Sequence, residues 1–214
     1  MYIFENIDCM EGMRRYPDKY FDLAVCDPPY GIGMGGDKKM TDRLAKNKKY
    51  HTFDDNRPPD AAYFEELRRV SKNQIIFGAN NFTDNLPPSS CWLIWDKQNS
   101  ENRYADAELA YTSFDTAVRV FRFRWQGMLQ GDMKQKETRI HPTQKPIALY
   151  EWILARYAKA GDKLLDTHVG SGSSIIAAVR GGYDIVGFEI DKTFYDLANE
   201  RIKLQTSQAT IWNL

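Results

Sequence analysis

Asp27-Pro28-Pro29-Tyr30 brings together a carboxylate, a main-chain carbonyl that two consecutive prolines hold rigid, and an aromatic face. That set suits the alkylation of an aromatic exocyclic amine. The lone pair of such a nitrogen, adenine N6 for example, is delocalised into the ring, and acceptors that bind its two hydrogens draw it toward a tetrahedral, nucleophilic state. Asp27 and the Pro28 carbonyl are the candidate acceptors, and Tyr30 the candidate platform for a base withdrawn from its helix.

A second constellation is Asp166-Thr167-His168-Val169-Gly170-Ser171-Gly172-Ser173, with Glu189 following. Its two glycines let a strand-to-helix turn approach a ligand closely, and an acid at the end of the next strand can accept from both hydroxyls of a ribose. A dinucleotide would favour a third glycine at position 175 to admit its pyrophosphate, but that residue is Ile175. S-adenosylmethionine fits better. Its adenosine needs the carboxylate, and its amino-acid end needs main-chain N–H groups. Asp166, His168, Gly170, Ser171, Gly172, Ser173 and Glu189 are therefore the candidate cofactor residues. The competing structural reading is a βα turn that merely needs small residues.

Taken together these blocks resemble the β group of DNA amino-methyltransferases, in which the catalytic turn precedes the cofactor turn. His141-Pro142-Thr143-Gln144-Lys145-Pro146 is similar to that family's signature hexapeptide, which precedes the helix closing the methionine end of the cofactor site. Asp8 is similar to the family's acid near the cofactor adenine. The resemblance implies that Asp8, Asp27, His141 and Thr143 join the cofactor site. It also implies a site-specific adenine-N6 methyltransferase acting on an extruded adenine in duplex DNA, in a restriction-modification setting. Cytosine N4, RNA adenine and a non-catalytic DNA-binding protein are the alternatives. A leading Asp in the turn favours adenine in this family, where Ser is commoner in cytosine-N4 enzymes. Thr167-His168 departs from the family's usual Pro-Phe, leaving His168 either as a cofactor contact or as a hydrogen-bonded, partly buried imidazole. Residues 116–139 occupy the target-recognition position and are short.

The elements that must position these groups alternate along the chain. Phe21–Cys26 is an apolar run stopped by the prolines, and Asp60 caps a helix through Val70. Short strands follow at Gln74–Phe77, Cys91–Trp95, Glu108–Tyr111 and Val118–Phe121. A helix spans Ile147–Lys159. Then come a strand at Lys163–Asp166, a helix at Ser173–Arg180, a strand at Tyr183–Glu189, and a helix from Asp191 to about Lys203. This order predicts an α/β, doubly wound Rossmann-like methyltransferase fold with a mostly parallel central sheet, in a single domain over 1–214. Gly31 to Pro59 lacks periodicity and reads as a mobile loop.

Formal net charge is zero over 214 residues, which argues mildly against nucleic-acid binding unless basic residues cluster locally. They do. Lys38, Lys39, Arg43 and Lys48 form one candidate phosphate-binding group, and Arg122, Arg124, Lys134 and Arg139 another. Trp125, beside Arg122 and Arg124, reads equally as a base-stacking or a packing residue. The three cysteines, Cys9, Cys26 and Cys91, have neither disulfide nor zinc spacing, and no metal is expected. No stretch spans a bilayer and the N-terminus is unlike a signal peptide, so the expectation is a cytoplasmic protein with DNA as partner, no membrane, and a homodimer left open.

Overall fold

The computed structural model describes residues 1–33, 51, 54–99, 105–126 and 129–207. Ten strands and five α-helices run in the order β1 (Tyr2–Glu5), α1 (Cys9–Met13), β2 (Phe21–Cys26), α2 (Ala61–Val70), β3 (Ser71–Phe77), β4 (Trp92–Asp96), β5 (Ala107–Thr112), β6 (Arg119–Arg122), β7 (Trp125–Gln126), β8 (Leu129–Gln130), α3 (Ile147–Tyr157), β9 (Lys163–Asp166), α4 (Ser173–Arg180), β10 (Asp184–Phe188) and α5 (Lys192–Ser207) among the described residues. Eight strands form one sheet in the order β1-β10-β9-β2-β3-β5-β4-β6. Every pairing is parallel except those of β5, which runs against both β3 and β4.

The sheet is covered on both faces, so its central strands are apolar on both sides. On β2, Leu23 and Val25 enter the core built with α3 and α4, while Ala24 and Cys26 enter the core built with α1 and α2. Asp60 caps α2 by accepting from the Tyr63 N–H, and Tyr63, Phe64, Leu67 and Val70 bury the helical face, each contributing roughly 1.5–3 kcal/mol. On the other face, α3 buries Ile147, Leu149, Tyr150, Ile153 and Leu154.

The direction of winding reverses between β9 and β2. From β9 the chain winds through α4 to β10 on one side, and from β2 it winds through α2 to β3 on the other. These two strands are parallel neighbours, with Leu23 opposite Leu164 and Ala24 opposite Leu165, so their carboxyl ends lie side by side. In open α/β sheets this switch point is where ligands bind. The turns beginning at Asp27 and Thr167 leave from there.

The sequence expectations differ from the structure mainly at edges. β1 and α1 carry no readable period because they span four and five residues. The expected helix to Lys159 stops at Tyr157, where Ala158 turns extended while its N–H still bonds Leu154 O. Most of the Gly31 to Pro59 loop, including Lys38, Lys39, Arg43 and Lys48, lies outside the described residues.

Candidate active site

The turn after β2 is fixed from three directions. Asp55, 4% exposed, accepts from the main-chain N–H groups of Tyr30 (2.7 Å) and Gly31 (2.9 Å) through one carboxylate oxygen. The Tyr30 hydroxyl donates to Asp27 Oδ1 at 2.6 Å. Its ring lies flat against Gly78, at φ +68°, where a Cβ would stand 2.0–2.5 Å from three ring atoms, so a side chain there would expel Tyr30. On the opposite side Lys145 places its ammonium on Asp27 Oδ2 and 3.0 Å from the Tyr30 hydroxyl.

Lys145 is itself enclosed, with its side chain 3% exposed, and sits 3.1 Å from Glu108 Oε2 in a charge contact rather than a directed hydrogen bond. Glu108 Oε1 meets Lys97 at 2.5 Å. Charges therefore alternate from Asp27 through Lys145 and Glu108 to Lys97. Burial pushes the Asp27 carboxyl above the usual carboxylate range, opposed by the Lys145 ammonium and reinforced by Glu108. Burial works against the charge of Lys145 too, but Asp27 and Glu108 hold its pKa above the ordinary lysine value. The Tyr30 phenol, buried and beside Asp27, is held far above its usual pKa and stays a donor.

The cofactor turn is braced differently. Glu189 accepts from Gly170 N–H through Oε2 (2.8 Å) and from Asp191 N–H through Oε1 (2.9 Å). Ser173, at the start of α4, donates to the Lys145 carbonyl at 2.8 Å. Arg201 on α5 donates to Ser171 O and Ser173 Oγ, and its other nitrogen pairs with Glu137 at 2.5 Å. Glu137 in turn accepts the first N–H of α3, from Ile147. Gly172, at φ +81°, lets α5 approach, since a Cβ there would meet Ile202 at 2.9 Å.

Both turns open into one cavity of about 510 Å3, within the usual range for small-molecule sites. Asp27, Pro28, Pro29 and Tyr30 line one end, and His141, Thr143, His168, Gly170, Ser171 and Glu189 line the other. His141, buried and near Lys145, has its pKa pulled down to about 3, so it faces the cavity as a neutral imidazole. His168 shares a hydrogen bond with Thr167 Oγ1 at 2.9 Å and is likewise neutral, lowered by burial to about 4. It is thus both a hydrogen-bonded imidazole and a cavity wall.

Four expected cofactor residues, Asp8, Asp166, Gly172 and Ser173, are outside the cavity lining and hold neighbouring groups. Asp8 caps α1 through the Met10 and Glu11 N–H groups. Asp166, pushed to about 7 by burial, accepts from Ser174 Oγ and His168 N–H. Gly172 and Ser173 shape the α4 start.

Among the expected phosphate contacts, Arg122, Arg124 and Lys134 are exposed. β6 is parallel to β4, so Arg122 ends at the same sheet edge as the two turns, 3.5 Å from Asp96. Arg139 instead stacks its guanidinium 4.6 Å from the Trp125 ring centre and donates to Trp125 O. Trp125 is 7% exposed and donates to Gln144 O at 2.8 Å, which makes it a packing residue.

Sequence reasoning missed Lys145, Glu108, Asp55 and Gly78. A glutamate inside the apolar strand Ala107–Thr112 was a usable signal, because a half-buried strand rarely carries an acid without a partner. Asp55 offered none.

Comparison with known proteins bears on the same residues. A family model described as DNA methylase, of the N6/N4 methyltransferase type, matches residues 44–200, which take in the hexapeptide and the cofactor turn. The chain is 22% identical to the type II methyltransferase M2.DpnII of Streptococcus pneumoniae, over 95% of this chain and 90% of that one. The solved M1.HpyAVI–SAM complex is 21% identical with a TM-score of 0.57, over 94% of this chain and 100% of that one. The PvuII cytosine-N4-specific DNA methyltransferase is 11% identical with a TM-score of 0.59, over 97% and 93%. Such structural likeness shows a shared Rossmann-like methyltransferase fold. Since the family match spans most of the sequence, the chain belongs to the DNA methylase family of N6 and N4 methyltransferases.

Proposed function

We propose that the chain is an S-adenosylmethionine-dependent DNA methyltransferase that modifies N6 of an adenine swung out of duplex DNA. The observation that carries this reading is the meeting of the two turns: Asp27 and the Glu189-braced Gly170 turn face one cavity. The residues present fit S-adenosylmethionine. Glu189 keeps acceptor capacity for ribose, the turn from Val169 to Ser171 lines the cavity, and the exposed Ile190 beside it offers an apolar face to a purine. When bound, that cofactor supplies an electrophilic methyl group on a sulfonium.

Asp27 then accepts an N–H of the target amine and, with the Pro28 carbonyl, directs the nitrogen lone pair toward the cofactor end of the cavity. Nitrogen gains one methyl and gives up one proton, for which Asp27 is the nearest base. Tyr30, hydrogen-bonded to Asp27, serves as the wall against which the base stacks. Arg122, Arg124 and Lys134, with the basic residues of the 31–59 loop, hold phosphates.

Labelled S-adenosylmethionine, mixed genomic DNA and nucleoside digestion test this directly. Label is expected on N6-methyladenine. Label on N4-methylcytosine would move the substrate while keeping the chemistry, as the fold shared with a cytosine-N4 enzyme allows. Sedimentation on DNA counts how many copies of the chain occupy the duplex.

A further inference from the structure

Lys145, 4% exposed, is one of the two most buried charged residues lining the cavity, yet it belongs to neither the nucleophile's chemistry nor the cofactor's. Its ammonium donates to Asp27 and to the Tyr30 hydroxyl and lies 3.1 Å from Glu108 Oε2. Phe77 lies beneath it, with the nitrogen 4.8 Å from the ring centre. Burying an ammonium and two carboxylates in this way is a poor route to stability, because well-packed apolar residues of the same volume do as well or better. The cluster therefore calls for a role in the site.

Two contacts of the same residue indicate which role. Through its side chain Lys145 touches the carboxylate that is to receive the amine, and through its main-chain carbonyl it accepts from Ser173 at the head of α4. One residue thus joins the base end and the methyl-donor end of the cavity. We propose that Lys145, braced on Glu108, is a positioning residue for methyl transfer: it keeps the Asp27 carboxylate charged and correctly turned, and sets its distance from the cofactor turn.

The groups facing Asp27 come from several elements. Lys145 is the adjoining cation, precedes α3 and opposes protonation of Asp27. Glu108 on β5, itself paired with Lys97 after β4, favours protonation. Tyr30 donates from the same turn, while Tyr150 on α3 and Asp166 at the end of β9 lie within electrostatic reach. Among the described residues, Lys145 is the cation paired with the buried carboxylate, and its removal takes that counter-charge away. A protonated Asp27 has lost the acceptor that the amine needs.

This inference rests on the methyltransferase reading, and the test separates the two. Initial rates on duplex DNA are measured against pH for wild type, Lys145→Met, Lys145→Arg and Asp27→Ala, with S-adenosylhomocysteine affinity by calorimetry. For Lys145→Met, kcat should fall about tenfold or more near neutral pH, with the acidic limb of the profile displaced toward alkaline pH and partial recovery there. Cofactor-product affinity should stay within about threefold of wild type. Lys145→Arg, which keeps the cation, should restore the position of the acidic limb even where its rate is lower. A Lys145→Met enzyme with an unshifted profile overturns the proposal. So does one that loses cofactor binding together with activity at every pH, which would make Lys145 part of the framework. Should Lys145→Met prove too unstable to assay, an acidic limb in Lys145→Arg displaced as far as loss of the cation predicts would overturn it equally. If Asp27→Ala keeps full activity, the methylation mechanism itself fails. If Asp27→Ala is inactive and Lys145→Met has the wild-type profile, the positioning role alone fails.

Discussion

The Asp27 turn and the Gly170 turn leave neighbouring parallel strands and reach the same cavity; a carboxylate holds main-chain N–H groups in each, but they differ in what holds the rest. The cofactor turn is secured largely by main-chain donors: Gly170 N–H to Glu189, Val169 N–H to Phe188 O, and Gly172 N–H to Val169 O. In the Asp27 turn the functional side chains are held as well, with Lys145 and the Tyr30 hydroxyl on the Asp27 carboxylate and the backbone of Gly78 against the Tyr30 ring. A backbone-held loop presents a fixed surface to a ligand that is chemically constant. A side-chain-held loop can be tuned, because exchanging one partner changes the charge and orientation of the reactive group without altering the chain path.

Substitutions on either side should therefore fail in different ways. The largest effect is expected for Asp27→Ala, with a loss of about 10³-fold or more in kcat and near-normal binding of S-adenosylhomocysteine. Equal losses of rate and binding would mean that the two turns are not separable. Gly78→Val should follow, because displacing the Tyr30 ring by about an ångström costs on the order of 100-fold in rate. A variant with wild-type kcat would show that the ring position is immaterial. Glu189→Gln should act on binding rather than on chemistry, weakening the cofactor about tenfold with kcat nearly preserved. A kcat defect larger than the binding defect would break the contrast.

The smallest effect concerns stability. Burial raises the Asp166 carboxyl from 3.8 to about 7, so the folded state binds this proton more tightly than the unfolded one. Its contribution is then fully present below the unfolded value and is lost as pH rises through about 7. Asp166→Asn should accordingly melt higher, relative to wild type, by a few degrees more at about pH 8 than at about pH 5. A difference that does not change with pH would place Asp166 in surroundings that accept its charge.

The same contrast explains what could be read from residues alone. Regions secured by near neighbours were legible: the Gly170 turn with Glu189 nineteen residues on, the Asp60 cap, and the strands whose alternation tracks two buried faces. The juxtaposition of Asp27 with Lys145, 118 residues apart, could not be derived from periodicity, because it depends on how β2, β5 and the segment before α3 meet in space. For Asp8, Asp166 and Ser173, residue type suggested a ligand, while the hydrogen bonds each makes to main-chain or side-chain groups beside the site had no signal in the spacing. Trp125 reads equally as a base platform or a packing residue from its neighbours, and its indole N–H, taken by Gln144 O inside the molecule, favours packing.

Arg201 gives the last helix an importance that its position at the sheet periphery hides. By gripping Ser171, Ser173 and Glu137 at once, its guanidinium links the Gly170 loop to the segment that leads into the hexapeptide. Shortening the protein before α5 would leave the strand order intact and yet let those two loops drift independently.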